Sequence, residues 1–358
     1  MSDTGRIRQT LASLISRGRN RLERWQPFRS KAGRPYERSR DSSLRLVREE
    51  LKFVRSFDDL KAFYRKMMFF MPRMIGTLGR FEKVPPDLEI EPTNYCNLNC
   101  ICCPASRSTR KKGFMDFALF QKIIDDASQI GVKRVHLYLH GESLLHPQIV
   151  EMISYTKSKD LALNLTTNGM RLDREMGESI LRSGVNSTDY VTFSVLGFSR
   201  HVYEKIMRRG NHDRAVNNIR EFVKLRDELG VNGPVISTVF FIMPENEHEA
   251  EQYLRYWRGI VDHARLCRIS ESFSEHKREG KPRAARTKTC AIIWEKMTIF
   301  WNGDVTTCAM DVDGERVLGN LNEQTVSEIW NSEQLLAIRQ IHREKRFEEL
   351  PFCYNCDM

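Results

Sequence analysis

From residue 88 onward, short apolar runs alternate with amphipathic stretches of helical period, and this alternation restricts the chain to a parallel βαβ architecture. Strands are predicted over 88–91, 134–139, 162–166, 190–195, 235–242 and 266–269. Helices are predicted between them, over about 116–129, 147–158, 172–183, 213–229 and 246–260. Six strands joined by five crossovers make an α/β fold of the partial (β/α)6 TIM-like barrel type. In such barrels the loops after the strand C-termini build the active site. Residues of chemical character, described below, fall at those ends.

The flanks differ from this core. Residues 1–85 form a basic helical N-terminal extension, residues 86–270 the barrel, 271–289 a charged, apolar-poor linker, and 290–358 a small α+β region. Most of the net charge of +10 sits in the first 43 residues, where eleven Lys and Arg face four Asp and Glu. An amphipathic stretch is predicted around Ile7, Leu11, Leu14, Ile15 and Leu22, and a second helix near 44–80 carries the run Met67–Met68–Phe69–Phe70–Met71. Such a basic arm suits an anionic surface, membrane or nucleic acid, and equally a solvated tail. No run of 18 apolar residues and no secretory signal is present, so the expected location is cytoplasmic, with peripheral membrane contact through the arm as a secondary reading. In the C-terminal region a hairpin over 296–300 and 305–308 turns at Asn302–Gly303, and a helix follows over 326–342.

Nine cysteines in a chain of this type indicate metal or redox chemistry rather than a disulfide framework. Directly after the first strand stands Cys96-Asn97-Leu98-Asn99-Cys100-Ile101-Cys102-Cys103. Thiolates at the Cx3Cx2C spacing of Cys96, Cys100 and Cys103 can hold three irons of a [4Fe–4S] cube and leave the fourth iron open. A structural zinc site wants four closed ligands, and no histidine lies nearby. Cys102, adjacent to Cys103, is poorly placed to bind the same metal.

This loop resembles the CxxxCxΦC signature of the radical S-adenosylmethionine (SAM) superfamily, with Cys102 at the usually aromatic position beside the adenine. The segment His140-Gly141-Glu142-Ser143 is similar to the family's GGEP, with His140 for the first Gly and Ser143 for the Pro. The resemblance implies that Gly141 lets the cofactor approach the backbone and that Glu142 accepts from the SAM amino group. Thr167-Asn168-Gly169 matches a frequent TNG turn, and Ser194-Val195-Leu196-Gly197 resembles SxDG with Leu196 replacing the Asp. Ser194 is thus a candidate contact to the SAM ribose or carboxylate, and Arg208 or Arg209 a candidate partner of the carboxylate.

Farther along, Cys290, Cys308, Cys353 and Cys356 provide four thiolates, enough for a second [4Fe–4S] cluster or a zinc site, and chemistry alone leaves that choice open. Cys290 through Gly303 to Cys308, followed by Leu318-Gly319-Asn320-Leu321, resembles the opening of a SPASM domain. Four cysteines instead of seven match its shortened twitch form, which implies one auxiliary [4Fe–4S] cluster. Cys267, within the sixth strand, reads as a buried small apolar residue.

The resemblance implies an enzyme that reductively cleaves SAM to a 5′-deoxyadenosyl radical, fed by an external one-electron donor such as flavodoxin or ferredoxin. The expected substrate is a small hydroxylated metabolite, a sugar or aminocyclitol, oxidised with Asp311 as candidate base. The competing readings are a ribosomal-peptide maturase, an RNA-modifying enzyme using the basic arm, and a non-enzymatic metal-binding protein.

Overall fold

The computed structural model describes residues 83–268, 286–354 and 356. The expectations for the basic arm, its amphipathic stretch and the Met-rich run lie outside the described residues, as does most of the linker over 271–289.

Six parallel strands appear where the alternation places them: β1 (Asp87–Ile90), β2 (Arg134–Leu137), β3 (Ala162–Thr167), β4 (Tyr190–Ser194), β5 (Val235–Ile242) and β6 (His263–Arg268). Between them run α1 (Phe117–Ile130), α2 (Ile149–Ser158), α3 (Arg174–Arg182), then α4 (Arg200–Ile206) with α5 (His212–Glu228), and α6 (Ala250–Trp257). Together they form the partial TIM-like barrel. One face of the sheet is wholly enclosed, with Leu88, Ile90, Val135, Leu137, Leu163, Leu165 and Phe193 all fully buried on it.

Helix starts follow local chemistry. The Asp116 carboxylate accepts from the Ala118 and Leu119 amides at the start of α1, Asp173 caps α3, and Asn211 caps α5. Gly131, at φ 88°, ends α1 in the left-handed conformation that suits glycine. The sequence pattern missed α4, a seven-residue helix whose cap is the Ser199 hydroxyl. It also overran α6, whose first turn is the 3-10 segment Glu247–Glu249.

The C-terminal region does not form a sheet of its own. After the short helix α7 (Ile292–Glu295), β7 (Lys296–Ile299) pairs parallel with β1, and β8 (Asp304–Thr306) and β9 (Val317–Asn320) follow antiparallel. One nine-stranded sheet results, in the order β6-β5-β4-β3-β2-β1-β7-β8-β9. The expected hairpin is present with Gly303 at φ 89°, while β9, short and half-exposed, carries no apolar pattern and was not predicted. The expected single helix over 326–342 is two: α8 (Val326–Trp330), opened by a Thr325–Glu328 capping box, and α9 (Glu333–Glu344), capped by Ser332. The chain closes with α10 (Pro351–Tyr354). No helix among the described residues is long and apolar enough to cross a membrane.

The join between β1 and β7 is ionic. Glu89, buried in β1, accepts from Lys296 Nζ at 2.6 Å, Tyr138 Oη at 2.8 Å and Thr298 Oγ1 at 3.1 Å. Burial opposes its charge, yet the Lys296 ammonium and these donors hold its carboxyl below the usual range. Removing one partner of such a pair strands a buried charge. Lys296→Met is therefore expected to cost about 3–5 kcal/mol in denaturant unfolding. Adding Glu89→Gln should recover most of that loss, and a double variant as unstable as the single would show that the pair is not what joins the strands.

Candidate functional site

The loop after β1 is cinched at its base before it presents any cysteine. Thr93 Oγ1 donates to the Gly113 carbonyl at 2.6 Å, and Asn94 pairs with both the Lys111 carbonyl and the Gly113 amide at 2.9 Å. Lys112 Nζ donates to the Asn94 carbonyl at 2.8 Å. On the far side, the Asn99 and Ile101 amides donate to the Arg208 and Ile206 carbonyls, so the end of α4 carries the cysteine segment. Arg208 thus meets this loop through its main chain.

Cys96 is the exposed member of the set by whole-residue accessibility, although its thiol is largely desolvated; Cys100 and Cys103 are half-buried. Burial pushes the Cys96 thiol up to about 11, with Glu142 and Cys103 adding to the rise. Burial also raises Cys100, and Cys102, Cys103 and Cys96 all act on it through charge. Desolvated thiols so close together cannot all ionise unless a cation compensates them, which is the donor set that iron–sulfur cubes use. Among the described residues no three His, Cys, Asp or Glu side chains converge on a single ion. Thiolates that each bind a separate iron have no need to. Cys102 faces the apolar core and is 8% exposed.

The other strand ends close around this loop. A Cβ on Gly141 would stand 2.0 Å from the Thr93 carbonyl oxygen and 2.8 Å from that of Tyr95, so the glycine is required by contact with the cysteine loop itself. The Glu142 amide donates to the Tyr95 carbonyl at 2.8 Å. Its carboxylate accepts from Thr167 Oγ1 at 2.7 Å, the Asn168 amide at 2.8 Å and the Leu144 amide at 3.1 Å. Burial raises its pKa against these bonds. Asn168 then donates to Asn97 Oδ1 at 2.9 Å, inside the cysteine loop. The GES and TNG segments and the first cysteines therefore form one network in which Glu142 is a strut, a task its sequence context did not reveal. Ser194 ends β4 half-buried, and Leu196 is buried with its carbonyl bonded by Asn246 Nδ2 at 2.9 Å.

The thiols of Cys290, Cys353 and Cys356 lie within electrostatic reach of Cys308. Burial pushes Cys308 up to about 12, and Cys290, Cys353 and Cys356 all raise it further. Cys353 is likewise pushed up to about 11 by burial. The Cys290 amide donates to Nδ1 of the buried His342 at 3.3 Å, and Arg286 Nε donates to the Cys353 carbonyl at 3.1 Å. This second desolvated thiol set fits an iron–sulfur centre by the same chemistry. Cys267 in β6 is half-buried, not fully enclosed as expected.

Asp311, the candidate base, is engaged within its own loop. It is 2% exposed, accepts from the Glu315 amide at 2.9 Å and the Arg316 amide at 3.0 Å, and also from Thr306 Oγ1. Its carboxylate ties its own loop. Its neighbour Asp313 accepts from the Thr109 amide at 2.7 Å. Next to it, Arg110 pairs bidentately with the buried Glu91, donates to the Val312 carbonyl at 2.7 Å, and lies 3.8 Å over the Phe300 ring. The loop following Cys103 is thereby strapped to the loop following Cys308. Nothing in the cysteine spacing signalled that strap.

Comparisons with known proteins agree with this geometry. Residues 90–256 match the family model of the Radical SAM superfamily, and residues 290–357 match that of the SPASM iron–sulfur cluster-binding domain. A tungsten-containing aldehyde ferredoxin oxidoreductase cofactor-modifying protein of Pyrococcus furiosus is 24% identical over 76% of this chain and 87% of its own. A SAM-dependent 2-deoxy-scyllo-inosamine dehydrogenase of Niallia circulans is 22% identical over 75% of this chain and 92% of its own. Among solved structures, BtrN in complex with AdoMet and 2-DOIA superposes with TM-score 0.53 at 19% identity, over 77% of this chain and 94% of that one. Streptococcus suis SuiB bound to its precursor peptide SuiA gives TM-score 0.60 at 14% identity, over 92% and 79%. With its cysteine loop on the first strand of a partial barrel and a second thiol set beside it, the chain carries a radical SAM domain over residues 90–256, which uses SAM and a [4Fe–4S] cluster, and a SPASM-type auxiliary iron–sulfur domain over 290–357.

Proposed function

We propose that this radical SAM enzyme oxidises a small hydroxylated metabolite of the sugar or aminocyclitol class. The observation that carries the reading is the size of the C-terminal thiol set: Cys290, Cys308, Cys353 and Cys356 suffice for one auxiliary cluster and no more. The likeness to the inosamine dehydrogenase, which spans nearly all of that relative, supports the same class. When bound together, reduced cluster and SAM supply a radical able to remove hydrogen from an unactivated carbon. In this reading Cys96, Cys100 and Cys103 hold the first cluster. Gly141, Glu142, Thr167, Asn168 and Ser194 form the SAM cradle, Arg208 lies by the SAM carboxylate, and Cys102 backs the adenine from the apolar core. A one-electron donor such as flavodoxin or ferredoxin serves the site from outside. A second reading, modification of a peptide, is favoured by the fit of SuiB over 92% of this chain.

Anaerobic iron and sulfide analysis is expected to find about eight irons per chain. About four irons with one zinc would remove the auxiliary cluster from the proposal. SAM cleavage under reducing conditions should vanish in a Cys96→Ala, Cys100→Ala, Cys103→Ala triple variant, and its persistence would remove the first cluster. Substrate class is decided by deuterium transfer into 5′-deoxyadenosine from labelled sugars, aminocyclitols and peptides. Transfer from an aminocyclitol or sugar is the expected result, and transfer from peptides alone would replace it with the second reading.

A further inference from the structure

His140 follows β2 at the place where the family segment has its first glycine. Its side chain is enclosed, with the residue 4% exposed, and its Nε2 has no hydrogen-bond partner among the described residues. The ring meets the backbone of Ala309, the residue after Cys308, and its centroid lies 6.5 Å from that of Phe300. The next residue, Gly141, is pressed against the carbonyls of Thr93 and Tyr95, the latter adjoining Cys96. His140 thus sits between the two cysteine loops.

The charged groups that face it are already engaged. Glu91 accepts both Arg110 nitrogens and the Trp301 amide at 3.3 Å. Arg110 also donates its Nε–H to the Val312 carbonyl, and Glu89 is occupied by Lys296, Tyr138 and Thr298. Burial, partly offset by Glu91 and reinforced by Arg110, keeps the imidazole below its ordinary pKa and therefore neutral. A neutral imidazole has one donor and one acceptor; the donor goes to the Ala309 backbone, which leaves Nε2 as an acceptor that an alcohol hydroxyl can satisfy. An orphaned buried nitrogen is unfavourable, and the backbone does not demand this side chain, since His140 is absent from the residues with positive φ. Asp311, which the sequence put forward for contact with substrate, is saturated by its own loop.

We propose that His140 is a substrate-contacting residue whose Nε2 accepts a hydrogen bond from a hydroxyl of the polyhydroxylated substrate held between the two cysteine loops. This rests on the metabolite reading above, and names the side chain that selects for a hydroxyl.

The test is calorimetric binding of 2-deoxy-scyllo-inosamine to the SAM-loaded, unreduced holoenzyme and to His140→Gly and His140→Gln. Iron content and SAM affinity, measured on each, report that the fold and both thiol sets are intact. Binding at least 10-fold weaker in His140→Gly, with recovery toward the parent in His140→Gln and unchanged SAM affinity, is the expected result. Equal binding by parent and His140→Gly would overturn the role of His140 and leave the metabolite reading standing. Absence of binding to the parent, by this aminocyclitol and by the sugars of the deuterium-transfer panel alike, would overturn both. Should His140→Gly lose iron, His140→Gln alone decides: retained iron and affinity within a few-fold of the parent support the contact, and a full loss of affinity overturns it.

Discussion

One buried carboxylate holds the sheet together at its most consequential seam. Glu89 lies in β1, and its three donors come from Tyr138, just past the end of β2, on one side and from β7 on the other. Strand β1 also launches the loop that carries Cys96, Cys100 and Cys103, while β7 opens the hairpin that ends near Cys308. The seam therefore sets where two thiol sets stand relative to one another. Above it, the Arg110–Glu91 pair and the Thr109–Asp313 bond repeat the same connection at loop level. A buried pair of this kind contributes specificity of arrangement more than net stability, because desolvation offsets much of its Coulomb gain.

The same desolvation governs the thiols. Each set places several sulfurs where burial resists ionisation and where each thiolate would raise its neighbours. Left to themselves these groups stay protonated, and only a polycationic centre makes the ionised form favourable. The protein's contribution is to pre-pay the geometry: Glu142 ties two strand-end loops to the first set, and His342 with Arg286 fixes the backbone of the second.

Much of this was legible in the chain. The period-2 and period-3.6 alternation located all six barrel strands, and Val235–Ile242 was bounded correctly at both ends. Cysteine spacing singled out the first thiol set, because ligation needs fixed residue types at short separations, while resemblance to a SPASM domain grouped the second. Long-range polar pairings were not legible. Glu142 looks from the sequence like a ligand contact, and only its distance to Thr167 and Asn168 reveals a strut. Asp311 looks like a base three residues from a cysteine, yet its loop folds back upon it. The pairing of β7 with β1 joins residues about two hundred positions apart, and no local pattern encodes such a partner. Helix α4 escaped because seven residues hold too few turns for a periodic signal.

That distant pairing has a consequence for synthesis. During translation β1 emerges early, and its neighbour β2 follows within fifty residues, but its other edge stays open until Lys296–Ile299 leaves the ribosome. Until then the nascent barrel presents an unpaired parallel edge and an acidic residue without its ammonium partner, while most of the barrel has already been made. Open edges of this kind template pairing between chains. The carboxylate at Glu89 works against that hazard: a charge directed into an unfinished seam makes pairing with a stranger's apolar strand costly, and the seam closes favourably when the chain's own lysine arrives.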